Sequence, residues 1–129
     1  MTQAGTKDAD AGAPRHAERG RTMVEINWRI NAYRDTRFKE LWAKPAEAAL
    51  DYGANAYGFY QSKEDPLHFK QIAFFDSKDD WERYWYSTEI SDARVLITGL
   101  YQVPLTYAWH SVIGADERTL EGVEDSPAS

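Results

Sequence analysis

Between residues 23 and 30 apolar and polar side chains alternate, with Val24, Ile26, Trp28 and Ile30 set against Glu25, Asn27 and Arg29. This is the period-two signature of a strand with two different faces. The period then changes. Over residues 35–52, Phe38, Leu41, Trp42, Ala49 and Tyr52 recur near helical spacing, which predicts a helix kinked by Pro45 and stopped by Gly53. Residues 55–61 and 67–75 are rich in Tyr, Phe and Ile, and the Ser-Lys-Glu-Asp-Pro run between them suits a hairpin. Ser77, followed three residues later by Asp80, reads as the cap of a second helix carrying Trp81, Tyr84 and Trp85 along one stripe. A turn or short helix over 89–98 stops at Gly99. Alternation resumes over 101–113 as a last strand, where Pro104 marks an edge or a bulge.

The order is β-α-β-β-α-β, an α+β, ferredoxin-like arrangement in which a four-stranded antiparallel sheet carries both helices on one face. The bare face is expected to expose Trp, Tyr and Phe side chains, and an apolar area of that size marks an interface. A homodimer closing through the sheet, a dimeric α/β barrel, follows as the expected assembly. The domain is read as 23–114. Residues 1–22 mix Ala, Gly, Asp, Lys and Arg without a periodic apolar position, so burial cannot offset the entropy of ordering them, and a disordered tail is expected. Met23, the first apolar residue of the pattern, is a candidate alternative start. Residues 115–129 are acidic, end in Ser-Pro-Ala-Ser and read as a mobile tail.

Composition narrows the function classes. The chain has 129 residues, 43% hydrophobic and 14% aromatic, enough for one core. A formal net charge of -6 with no basic stripe argues against a nucleic-acid partner, which would need Lys and Arg gathered on one face. The absence of cysteine removes disulfides, thiolate metal sites and Cys nucleophiles. Apolar stretches such as 72–75 and 95–97 fall far short of the ~20 residues of a membrane span, and the N-terminus lacks the apolar core of a secretory signal. A soluble, cytoplasmic protein without a membrane partner is expected.

The run Asp-Ser-Lys-Asp-Asp-Trp-Glu-Arg-Tyr-Trp-Tyr-Ser-Thr-Glu-Ile-Ser-Asp-Ala-Arg at 76–94 resembles the second helix of antibiotic-biosynthesis-monooxygenase-type dimeric barrels. Those helices show an acidic capped start, two aromatics three residues apart, then a Ser and a short helical continuation. The likeness extends to Glu25 and Asn27 on the first strand. In haem-degrading members an Asn on that strand and a Trp on the helix approach the substrate, and a His ligates iron. Here the resemblance puts Asn27 and Tyr84, with Trp85 beside it, in the first two places and Arg94 at the ligand position. A guanidinium does not ligate ferric iron, which argues against haem degradation. The resemblance implies instead cofactor-free oxygenation of an activated aromatic, with no metal or flavin.

In that chemistry a phenolic or enolic carbon acid loses a proton and its carbanion meets dioxygen, so the protein needs a base, oxyanion donors and a dry slot. His110 and His68 are the candidate bases, since His alone titrates near neutrality unperturbed. Asn27 could orient dioxygen or hold an enolate, or simply make cross-strand hydrogen bonds. Trp81, Trp85, Tyr57, Tyr60 and Tyr107 could line a flat pocket for an aromatic small molecule; aromatics at core spacing also serve as plain core. The many phenols and indoles favour a pocket, because each buried OH or NH needs a partner. Arg94 could anchor an anionic group or pair with Glu89 or Asp92.

The leading expectation is thus a cofactor-independent monooxygenase acting on an aromatic or polyketide-type molecule. A polyketide cyclase or isomerase would use the same groups without dioxygen, and a non-enzymatic dimeric binding or scaffold module would need none of them. A cleft between sheet and second helix with Asn27 and His110 at its wall would favour an enzyme. A sheet-helix layer filled solid by Trp and Tyr would favour the scaffold.

Overall fold

The structure, a computed structural model, describes residues 22–116 and 118. Its elements are β1 (Thr22–Arg29), α1 (Asp35–Glu47), a 3-10 turn (Ala48–Tyr52), β2 (Ala56–Gln61), β3 (His68–Phe75), α2 (Lys78–Trp85), α3 (Thr88–Leu96) and β4 (Thr106–Ser111). The strands form one antiparallel sheet in the order β2-β3-β1-β4. This is the expected ferredoxin-like arrangement, with the second helical segment split in two. The expected tails at 1–22 and 115–129 lie almost entirely outside the described residues; Thr22 belongs to β1.

Local chemistry explains the boundaries. Pro45 lies within α1, and the helix continues to Glu47 before tightening into the 3-10 turn, which ends at Gly53 with φ 104°. That left-handed value is one glycine adopts without a Cβ penalty. The Ser77 hydroxyl accepts the Asp80 N–H at the start of α2, and Ser87 does the same for Ile90 at the start of α3. Two serine caps in ten residues are what break the second helix.

Alternation along β1 buries Val24, Ile26 and Trp28 against the helices, joined by Phe69, Gln71, Ala73 and Phe75 from β3. Phe38, Trp42, Trp81, Tyr84 and Trp85 complete the core from the helical side. By register the opposite face carries Met23, Glu25 and Asn27, then His68, Lys70, Ile72 and Phe74, with Thr106, Ala108 and His110 on β4. The expectation that this bare face would expose mainly Trp, Tyr and Phe is therefore corrected. Most sheet aromatics share the parity of the apolar positions and point toward the helices, leaving a mixed face with a polar centre.

The last strand is also shorter than the pattern suggested. Tyr101 bridges to Ile30, and pairing resumes only at Thr106 opposite Asn27. Three steps along β1 are thus spanned by five of the returning chain, so Val103 and Pro104 loop outward, while the Gln102 N–H still donates to the Arg29 carbonyl at 2.8 Å and Leu105 packs against the core. The strand that follows, β4, lies at the sheet edge, and Pro104 itself falls in the segment before it rather than within the strand.

Candidate functional site

The outward loop opens a cleft of about 480 Å³ lined by Asn27, Trp28, Arg29, His68, Gln102, Val103, Pro104 and Thr106. A second depression, lined by Tyr60, Gln61, Ser62, His68 and Lys70, adjoins it, and His68 belongs to both. His68 and Asn27 stand side by side because β1 and β3 pair there, Asn27 opposite Lys70 and Arg29 opposite His68.

A hydrogen-bonded chain runs across this face. His68 Nε2 lies 3.1 Å from Asn27 Oδ1, Asn27 Nδ2 donates to Glu25 Oε2 at 3.0 Å, and His110 Nε2 lies 3.0 Å from Glu25 Oε1. Lys70 Nζ reaches Glu25 at 3.4 Å. The proton positions follow from the carboxylate, which when ionised only accepts. Asn27 must turn its NH₂ to Glu25, so its carbonyl oxygen faces His68 and His68 Nε2 must donate. Neutral His68 therefore keeps its lone pair on Nδ1, the nitrogen a general base requires.

Glu25 holds this geometry. Its carboxyl sits below the ordinary value of 4.5, first through the Asn27 hydrogen bond and then through His110 and Lys70, against the opposing effect of burial. A depressed carboxyl contributes stability that is present above its ordinary value and is lost as pH falls through the folded-state value. We expect wild-type protein to lose stability more steeply than Glu25→Gln below about pH 4.5. Urea midpoints measured on both proteins from neutral to acid pH check this; parallel curves would contradict it.

The other sequence-predicted residues lie elsewhere. Tyr84 is 0% exposed in the core, where its hydroxyl donates to the Pro45 carbonyl at 2.7 Å and accepts from Gln71 Nε2 at 3.0 Å. Burial pushes its phenol well above the ordinary range. Gln71 Oε1 accepts both the Trp42 and Trp28 indole N–H groups, at 2.8 and 3.3 Å. Three of the buried OH and NH groups that favoured a pocket, those of Trp28, Trp42 and Tyr84, thus find a partner in one glutamine. Gln71 was detectable in sequence as the one polar residue sharing parity with Phe69, Ala73 and Phe75.

The layer between sheet and α2 is filled by rings, with Trp28 5.1 Å from Trp42 and 6.3 Å from Trp85, and Tyr84 5.7 Å from Trp81. The expected cleft is therefore not between the sheet and α2; Asn27 and His110 lie on the opposite face. Trp81, Trp85, Tyr107 and Arg94 do come together at the β4 edge on the helical side. Tyr57 and Tyr60 are on β2, at the far edge of the sheet. Arg94 makes no ion pair with Glu89 or Asp92; it donates to the Trp85 carbonyl at 2.9 Å, and Glu89 accepts from Tyr52. Glu25 and the 102–104 loop were missed as site residues: Glu25 entered only within the resemblance and as a flank of Asn27, with no role, and nothing but Pro104 signalled the loop.

Solved structures share this architecture. A candidate antibiotic biosynthesis monooxygenase from Nitrosomonas europaea is 14% identical, with a TM-score of 0.67 over 72% of this chain and 99% of its own. Rv0793 from Mycobacterium tuberculosis is 11% identical, with a TM-score of 0.64 over 74% and 98% of the two chains. SnoaB from Streptomyces nogalater, a cofactor-independent oxygenase solved as a point mutant, is 9% identical, with a TM-score of 0.62 over 73% and 94%. No protein-family model and no curated protein matches the chain. The chain thus has the fold of the antibiotic-biosynthesis-monooxygenase-like dimeric α/β-barrel proteins. Among the described residues no helix is long and apolar enough to cross a membrane.

Proposed function

We propose that the chain is a cofactor-independent oxygenase of an activated aromatic or polyketide-type small molecule, with the open-face cleft as its active site. The observation that carries this reading is the His68-Asn27-Glu25 chain, which holds the His68 imidazole at the cleft wall with Nε2 turned to Asn27. A phenolic or enolic carbon acid seated there gives its proton to His68 Nδ1. The carbanion then transfers electrons to dioxygen, a C–O bond forms, and loss of water from the peroxide leaves a carbonyl. One oxygen atom enters the product, the other leaves as water, and the substrate supplies all the electrons. On this reading Gln102 and Thr106, also at the wall, donate to the oxyanion, while the Arg29 guanidinium is held by Asp65. The description of SnoaB as a cofactor-independent oxygenase supports the class.

A second copy closing over this face would exclude water from the cleft. We therefore expect a dimer by sedimentation at micromolar concentration; a monomer would remove this means of drying the site.

The reaction is tested with 1,8-dihydroxyanthrone as probe, following oxygen consumption and quinone absorbance together. Protein-dependent uptake with quinone formation is the expected result. Exchange of the probe's carbon-bound proton for deuterium without oxygen uptake would point to the cyclase or isomerase reading. Neither signal would leave the dimeric binding module, which the solid ring packing between sheet and α2 favours.

A further inference from the structure

Beyond the cleft, the open face of the sheet continues as a groove. The cleft and its neighbouring depression share His68, and that depression shares Tyr60 with a third hollow of about 300 Å³ whose walls include Ala56, Tyr60, Ile72, Phe74 and Ala115. The three follow one another along β3, over the side chains of one parity, His68, Lys70, Ile72 and Phe74. From His68 to Phe74 the strand runs about 20 Å.

The hollow exists because β2 withholds side chains there. On this face β2 carries Tyr60, Gly58 and Ala56, opposite Lys70, Ile72 and Phe74. Gly58 sits in unbroken register without a positive φ, so neither a bulge nor a turn requires glycine at this position. A Cβ placed on it would come within 2.6 Å of the Tyr60 ring carbons Cε2 and Cζ. The Tyr60 ring therefore lies down over Gly58, still 55% exposed, between the polar depression and the apolar hollow. A strand glycine of this kind marks close approach to the backbone. The Tyr60 ring takes part of that space and leaves the rest open above Ile72 and Phe74, both half-buried.

We infer that this groove seats the apolar tail of an elongated phenolic substrate, with the acidic ring at His68 and the tail laid along β3 past Tyr60 as far as Ala115. The inference rests on the cleft being the active site and adds the shape of the substrate. Polarity changes along the groove as such a molecule requires, from Asn27, His68, Gln102 and Thr106 at one end to Ala56, Ile72 and Phe74 at the other. A hollow sunk between the Tyr60 ring and the returning chain at Ala115 admits a slender tail, and a second copy closing over the face would roof it.

The test titrates 5-methyl-, 5-hexyl- and 5-decylresorcinol into the full chain under nitrogen, by calorimetry and by methyl NMR. The Ile72 δ1 signal is assigned by its absence from Ile72→Val. A fully buried methylene strengthens binding about fourfold, and one half-covered by an open groove about twofold. The hexyl probe should therefore bind roughly thirtyfold tighter than the methyl one, the decyl probe tighter still, and both should move the Ile72 signal saturably. Gly58→Ala raises the groove floor and lifts the Tyr60 ring, so it should flatten the dependence on chain length; the wild-type series needs no variant to fold. Equal binding of the three probes, an Ile72 signal that none of them moves, or an undiminished chain-length dependence in Gly58→Ala would overturn the inference, whether or not anthrone is oxidised. An Ile72 signal that follows protein concentration and ignores the probes would give the hollow to the second copy and overturn it too. Chain-length dependence without oxygen uptake would uphold the groove and count against the oxygenase reading alone.

Discussion

Replacing His68 with alanine is expected to lower anthrone turnover by on the order of 100-fold or more, the usual contribution of a positioned general base. The side chain is half-buried on β3 and takes no part in the aromatic core, so the fold should survive, as circular dichroism would show. The effect should fall on the proton-transfer step. His110→Ala is expected to cost far less, because His110 reaches the cleft only through Glu25. Asn27→Ala releases the Nε2 hydrogen bond and lets either nitrogen of His68 carry the proton, so its signature is an altered pH–rate profile as well as a lower rate. Turnover that survives His68→Ala unchanged would remove His68 as the base and with it the assignment of the cleft.

The largest loss of stability is expected from Gln71→Leu. Leucine is close in volume, but it strands the Trp28 and Trp42 indole N–H groups and takes from Tyr84 the donor supplied by Gln71 Nε2. Each buried donor left without a partner costs roughly 1–3 kcal/mol, and Tyr84 keeps its bond to the Pro45 carbonyl. Urea denaturation should therefore show a loss of about 3 kcal/mol, a large share of the 5–15 kcal/mol typical of a small domain. A loss below about 1 kcal/mol would mean the indoles find other acceptors. Gln71→Glu should also be harmful at neutral pH, since it either buries a charge among rings or takes up a proton to avoid doing so.

The elements of the fold were legible because their signals are local. Val24, Ile26 and Trp28 alternate with Glu25 and Asn27, and the structure follows that alternation through β1. Ser77 capped α2 as its spacing from Asp80 implied, and Gly53 and Gly99 marked stops that the structure places at positive φ. The candidate site was only half legible. His68 and His110 were picked out by residue type and Asn27 by the resemblance, but their meeting depends on which residues of β1, β3 and β4 stand opposite one another, a register that the alternation alone leaves open. Tyr84 was drawn into the site by the resemblance, yet Gln71, thirteen positions before it, holds it in the core.

By itself, then, the sequence determined the strands, the helices and which parity of each strand is apolar, because these depend on side-chain spacing within a few residues. Tertiary structure decided what lies across each face. It turned most sheet aromatics toward the helices and closed the layer where a pocket was expected. It opened the cleft instead where the chain loops around Pro104, between Tyr101 and Thr106. It also gathered Arg94, Trp85 and Tyr107 at the opposite edge, since contacts between residues far apart in the chain exist only once the strands have paired and the helices have docked.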